Sequence, residues 1–371
     1  MAWTDYYVDA TASGGGTGTS AGDPWTLAEA FSNAGTNQRV NIKAGTYSIS
    51  SPLSCNPALT TDNPLWWRGY KTSIGDLDNK FTGDLVDGTD IPVFEITSNN
   101  NYIILDANYH MISGLCFKKK STDAYPAFYD RRGFTWAKNC RFVIEASSSV
   151  HNNARVVSRN SGAIHLTYLN CEFKSNQAMN ICVDHYTASF YSHCLFDASS
   201  ANYHLYDFGS HGNDIQDCVF KGSTVACIYM SNSRTKIQNN TFVDVGDDAI
   251  AFTGANPFVS NNYFHSVTGF CVSNKNASAT NDILLANNAF YNSSNKFENM
   301  ADANEFDAIA DSSDKFVDKA AGDYSLQSTS NAYSAGNGGY WSLGSTDHAD
   351  VGAVQHQDPT GGGGSQFHPL G

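Results

Sequence analysis

The sequence predicts an all-β fold: a single-stranded right-handed parallel β-helix (a solenoid) with an N-terminal helix-containing cap and a C-terminal extension. Three observations carry this. A four-residue phrase returns eight times, ending at Phe117, Phe142, Phe173, Phe196, Phe220, Phe242, Phe264 and Phe290. Its successive differences are 25, 31, 23, 24, 22, 22 and 26 residues, a period at which each unit buries its apolar face only against the next. Between the phrases lie short alternating strands such as Ile181-Cys182-Val183, Cys227-Ile228-Tyr229-Met230 and Ala249-Ile250-Ala251-Phe252, broken by Asn, Gly and Ser. Two or three strands of about 3 to 5 residues plus turns fill about 22 residues and stack about 4.8 Å apart. No Leu-x-x-Leu-x-Leu frame is present, and helical repeats are longer. The right hand follows from the rule for parallel crossovers.

The elements follow in chain order. Tyr6-Tyr7-Val8-Asp9 reads as a strand, and Gly14-Gly15-Gly16-Thr17-Gly18 as a loop. Asp23 to Phe31 reads as an amphipathic helix with Asp23 as N-cap, Pro24 at the first position, and Trp25, Ala28 and Phe31 on one face. A strand over Arg39 to Lys43 and a turn at Ala44 to Tyr47 complete a cap, which shields the first coil's open edge. In the coils, each Phe forms a rung of an internal ladder. The residue two places earlier shares its face, since side chains alternate: Cys140, Cys171, Cys194 and Cys218, then Asn240, Asn262 and Asn288. The residue three places earlier (Asn139, Asn170, His193, Asp217, Asn239, Asn261 and Asn287) sits at a turn, where Asn tolerates left-handed backbone and passes amide hydrogen bonds between coils.

With these segments in view, the chain resembles the pectate-lyase-like β-helix superfamily, whose cap is matched by Tyr-Tyr-Val-Asp, Asp-Pro-Trp-Thr-Leu-Ala-Glu-Ala and Ile-Lys-Ala-Gly-Thr-Tyr. Leu65 to Tyr70 with Gly75-Asp76 is similar to its second coil. Lys315 to Asp318, Gly322 to Leu326 and Asp350 to Gln355 resemble its closing coils. The expected organisation is cap and first coil over residues 1–54, coils over 55–300, closing coils over 301–358 and a Gly-rich tail over 359–371. The resemblance implies the fold and leaves the function open, because this scaffold hosts lyases, hydrolases, epimerases, phage tailspikes and inert virion proteins.

Composition narrows the classes. Charged residues make up 16% of the 371 residues and the net charge is −14. Nucleic-acid binding needs clustered Lys and Arg, and only Lys118-Lys119-Lys120 and Arg131-Arg132 form basic runs. Nine cysteines without a Cys-x-x-Cys pair read as reduced thiol ladders inside the coils; Cys116, Cys140, Cys171, Cys194 and Cys218 belong to the phrase. The start Met1-Ala2-Trp3-Thr4 has no secretory pattern, and no run of 18 apolar residues forms a membrane span.

Three constellations bear on chemistry. Asp247-Asp248 resembles the paired-Asp element of polygalacturonase-type hydrolases, but the neighbouring coils lack that family's Asn-x-Asp, Gly-His-Gly and Arg-x-Lys. Asp184 and Asp207 each fall 11 residues after a ladder Phe, which predicts carboxylates one rung apart, with His185 and His211 nearby and Ser231 and Thr253 continuing the column. A pectate-lyase reading requires calcium-binding carboxylates around an Arg or Lys base; Arg234 with Lys236 is the basic pair of the central coils, and no matching carboxylate triplet stands out.

The expected function is therefore a virion surface protein, a capsid decoration or tail-associated β-helix. It would form a homo-oligomer on a symmetric particle, contact other virion proteins through Phe367, His368, Pro369 and Leu370, and bind host polysaccharide. No cofactor or metal is expected. The alternative is a polysaccharide hydrolase or lyase of the depolymerising tailspike kind.

Overall fold

The computed structural model describes the chain apart from residues 1, 79, 81–84, 131–133, 147–154, 160–164, 186–187, 208–211, 232–233, 277–282, 301–304, 307–308, 334, 336–350 and 353–371. It divides into two compact units, residues 1–190 and 191–371. Each unit winds one strand per coil into three parallel sheets.

In the first unit the phenylalanine sheet stacks Gly45–Ile49, Pro92–Ile96, Cys116–Lys119, Arg141–Ile144 and Glu172–Ser175. Phe117, Phe142 and Phe173 pair in register and point inward, with centroids 5.3 Å apart at 7° and 12°. The turn before each of the last three strands needs one residue in the left-handed region: Gly114, Asn139 and Asn170 have φ of 62°, 53° and 54°. Asn170 Nδ2 donates to Asn139 Oδ1 at 2.7 Å, so the turn column is also an amide ladder.

The cap differs from expectation in its helix. The helix spans Leu27–Asn33 with Thr26 as N-cap, because Thr26 and Glu29 form a reciprocal capping box. Asp23 instead closes the glycine loop, accepting from Thr17 N and Oγ1 at 3.0 and 2.6 Å. Trp25 lies outside the helix and stacks on Tyr6 at 4.4 Å, while Leu27, Ala30 and Phe31 form the buried face. The expected turn at Ala44 to Tyr47 shortens, since Gly45–Ile49 is already a strand.

One cysteine also departs from its expected place. Cys116 pairs with Arg141, not Cys140, so it faces out of the coil. There it is buried with Leu77, Ile91, Val93 and Val143. Around this strip Lys118 pairs with Asp87 and Glu145, and Arg141 with Asp87 and Glu172.

The second unit repeats the plan. Phe196, Phe220, Phe242, Phe264 and Phe290 stack at 4.6, 5.0, 5.0 and 5.4 Å, and His193, Asp217, Asn239, Asn261 and Asn287 take φ of 54° to 57° at the turn. Its third sheet stacks Ala201–Asp207, Ala226–Ser231, Asp248–Thr253, Phe270–Asn274 and Asn295–Glu298. Two of the segments likened to closing coils form an antiparallel hairpin, Phe316–Asp318 with Asp323–Leu326; of the third, only Val351 and Gly352 are among the described residues. Phe316, Tyr324, Leu326, Ala332 and Val351 pack on Val219, Val243, Tyr263 and Ala289, outside the phenylalanine sheet. Asp311 anchors this arm, accepting from Tyr263 Oη, Ser330 Oγ and Asn331 N at 3.0, 2.6 and 2.7 Å.

Candidate functional site

Strand alternation gives the third sheet of the second unit an outer column of Tyr206, Tyr229, Ala251, Ser273 and Glu298, paired rung to rung. Tyr206 and Tyr229 stack at 4.7 Å and 22°. Tyr203 meets them edge-on at 4.8 and 5.5 Å, and all three rings are half-buried. Burial, and then Tyr229, push the Tyr203 phenol up; Lys275 and Asp247 also act on it. The tyrosines and the charged cluster therefore share one face.

That cluster is built across three coils. Asp248 opens its strand, is 1% exposed, and accepts from Phe270 N at 2.9 Å. Lys275 Nζ lies 2.6 Å from Asp248 Oδ2 and 3.0 Å from Glu298 Oε2, and the Ser273 hydroxyl donates to the same Glu298 oxygen. Asp247 is exposed beside them. A Cβ at Gly269 would collide with Oδ1 of both Asp247 and Asp248, so both carboxylates face one point of the backbone that only glycine leaves open.

The environments separate these groups. Burial and then the charge of Asp248 raise the Asp247 carboxyl above the usual carboxylate range. The Ser273 hydroxyl and then Lys275 hold Glu298 below it. Burial alone would lower Lys275, but Asp248 and Glu298 outweigh it and keep the ammonium above its ordinary value.

The sequence candidates fare differently. Asp247 and Asp248 both join the cluster. Asp184, in the first unit, is 8% exposed with Oδ2 3.5 Å from Arg155 Nε. Asp207, in the second, is 1% exposed and accepts from Asn213 Nδ2 at 2.7 Å. Its rung partner is Met230, not the expected Ser231: Asp207 lies 11 residues after Phe196 but Met230 only 10 after Phe220, so counting from the ladder slips by one. His211 and the tail residues Phe367, His368, Pro369 and Leu370 lie outside the described residues.

Sequence reading missed Lys275 and Glu298, which do bring a lysine and several carboxylates together. The signal was present one coil at a time, since Asp248, Lys275 and Glu298 are 27 and 23 residues apart. Aligning third-sheet strands, rather than searching for local motifs, would have exposed it. The donor set does not suit calcium: Lys275 stands between two of the carboxylates, and among the described residues no three His, Cys, Asp or Glu side chains gather as metal ligands.

The family described as the right handed beta helix region matches residues 132–290. Among solved structures, the chain is similar to pectate lyase Pel9A at 13% identity and a TM-score of 0.58, over 96% of this chain and 97% of that one. A mannuronic acid specific polysaccharide family 6 lyase from human gut microbiota follows at 12% identity and 0.43, over 83% of each chain. The lacto-N-biosidase of family GH136 from Eubacterium ramulus gives 8% identity and 0.36, over 83% and 68%. No curated protein matches the sequence. Three parallel sheets, an inward aromatic ladder, the family match over residues 132–290 and the likeness to Pel9A agree on the fold: the chain is a right-handed parallel β-helix.

Proposed function

We propose that the chain binds polysaccharide along the outer third-sheet face of its second unit. The observation that carries this is the juxtaposition of three half-buried tyrosine rings with the cluster of Asp247, Asp248, Lys275 and Glu298. Pyranose rings offer apolar C–H faces to aromatic rings, and their hydroxyls pair with carboxylates and ammonium groups. The likeness to Pel9A, named as a pectate lyase, supports a carbohydrate ligand. Affinity electrophoresis against a panel of polysaccharides tests the reading. Tyr206→Ala and Tyr229→Ala are expected to weaken binding about tenfold each, on the order of 1.4 kcal/mol, with the melting temperature little changed. Unchanged affinity in both variants overturns it.

In its finer form the proposal places this face on a virion, as a symmetric homo-oligomer tethered through the tail at residues 359–371. Its test is whether protein truncated after residue 358 still joins particles.

A further inference from the structure

Resting on the glycan-binding reading, we infer that this face also hydrolyses what it binds, with Asp247 as proton donor and Glu298 as proton acceptor on a polysaccharide that lacks carboxyl groups. The two residues sit in opposite environments on one surface, and divergent environments are how a pair of carboxyls divides acid from base work. Asp247 lies at the surface, where partial burial and then the neighbouring Asp248 carboxylate raise its carboxyl and favour the protonated form. Glu298 is held ionised by the Ser273 hydroxyl and Lys275, both on Oε2. Asp248 is too buried to meet a substrate. It and Lys275 are positioning residues: Asp248 repels the Asp247 charge, and Lys275 spans Asp248 and Glu298.

The step balances with water alone. Asp247 gives its proton to the glycosidic oxygen as the bond from that oxygen to the anomeric carbon breaks. Water bonds to the anomeric carbon and passes a proton to Glu298. A proton returns to Asp247 through solvent, and one water is consumed per bond cut.

The substrate class follows from charge. Even with Asp247 protonated, the Asp248 and Glu298 carboxylates outnumber the Lys275 ammonium among the described residues of the cluster, so an anionic polyuronate is repelled where a neutral glycan is not. Lys275 is also poorly placed to lift a uronate proton as a neutral base, because its two carboxylates keep it as ammonium.

The test incubates the full chain with xylan, mannan and β-glucan, and with pectate and alginate, measuring reducing ends and unsaturated uronate separately. Reducing ends from a neutral polymer, without unsaturated product, are expected. Asp247→Asn and Glu298→Gln should each lower that rate at least about 100-fold while the same polymer still binds. The pH profile should be bell-shaped, falling on the alkaline side as Asp247 ionises and on the acid side as Glu298 is protonated. In Asp248→Asn the alkaline limb should move to lower pH, which a merely structural residue would not cause. Unsaturated ends from a polyuronate, or binding with no new reducing ends from any polymer, overturn hydrolysis and leave the binding proposal standing; failure to bind any polymer sinks the binding proposal itself.

Discussion

The coils that carry cysteine before the ladder phenylalanine and those that carry asparagine there are held together by different means. Each thiol turns back on its own coil, and its links to a neighbouring coil are weak sulfur contacts such as Cys171 Sγ to Ala137 O at 3.7 Å. Cys140, Cys171, Cys194 and Cys218 reach the carbonyl two residues earlier at 3.3, 3.4, 3.4 and 3.1 Å, a weak bond that ties little. Each amide instead spans coils. Asn262 Oδ1 accepts both Asn240 N and Asn240 Nδ2, at 2.9 and 3.0 Å, while its Nδ2 reaches Ile237 O, Ser260 O and Asn288 Oδ1 at 3.0 Å. Asn240 Oδ1 takes Cys218 N in the same way. The phenylalanine ladder is common to both regions, so the difference lies in polar cross-linking. It also follows the surface chemistry. The coils of Asn240, Asn262 and Asn288 lead to Asp247 and Asp248, to Lys275 and to Glu298, whereas those of Cys194 and Cys218 lead to the tyrosines. A charged cluster assembled from three coils needs those coils in fixed register.

The largest break is expected at Asn262→Ala. The side chain is fully buried, and its loss orphans Asn240 N and carbonyls on either side, costing about 3 to 5 kcal/mol at roughly 1 to 3 per unsatisfied group. Chemical denaturation measures it; a loss below about 1 kcal/mol would mean water replaces the amide and the contrast between coils has no energetic content. An exchange sharpens the contrast. Asn262→Cys should still cost about 2 kcal/mol, since a thiol accepts weakly, whereas Cys218→Asn should cost under about 1 kcal/mol because Asn240 shows that the ladder site accommodates an amide. Equal costs in both directions would reduce the two ladders to interchangeable filler.

Much of this architecture was legible because the solenoid repeats its constraints. The left-handed turn read from Asn139, Asn170 and Asn261 is where φ turns positive, and the phenylalanine ladder is in register. Errors fell where the constraint is not periodic. Thr26 outcompeted Asp23 as N-cap because Glu29 completes its capping box. Cys116 shares the phrase but sits one place nearer its phenylalanine than Cys140 does, and a one-residue slip in a strand changes the face. The charged cluster was half visible: adjacent Asp247-Asp248 reads as a motif, but Lys275 and Glu298 become neighbours only through rung pairing. The Phe316–Leu326 region carries strand residues that do not say whether they continue a coil or fold back on one.

The smallest expected effect concerns the thiols themselves, and it tests the cysteine side of the comparison. All nine cysteines are buried thiols outside any disulfide. Burial pushes the Cys55 and Cys227 thiols up to about 12 and raises Cys218 as well, its thiol also bonding to Cys194. Thiolate is the reactive form, so at pH 8 native protein is expected to take up almost no iodoacetamide, while unfolded protein takes up nine equivalents. Neighbouring ladder thiols point the same way from parallel strands, a poor arrangement for the disulfide dihedral even where Cα atoms come near enough. Mass spectrometry showing disulfides between Cys194 and Cys218, or rapid native labelling of the ladder, would mean that these coils open or cross-link. They would then lose their standing as the weakly tied, inert counterpart of the amide coils.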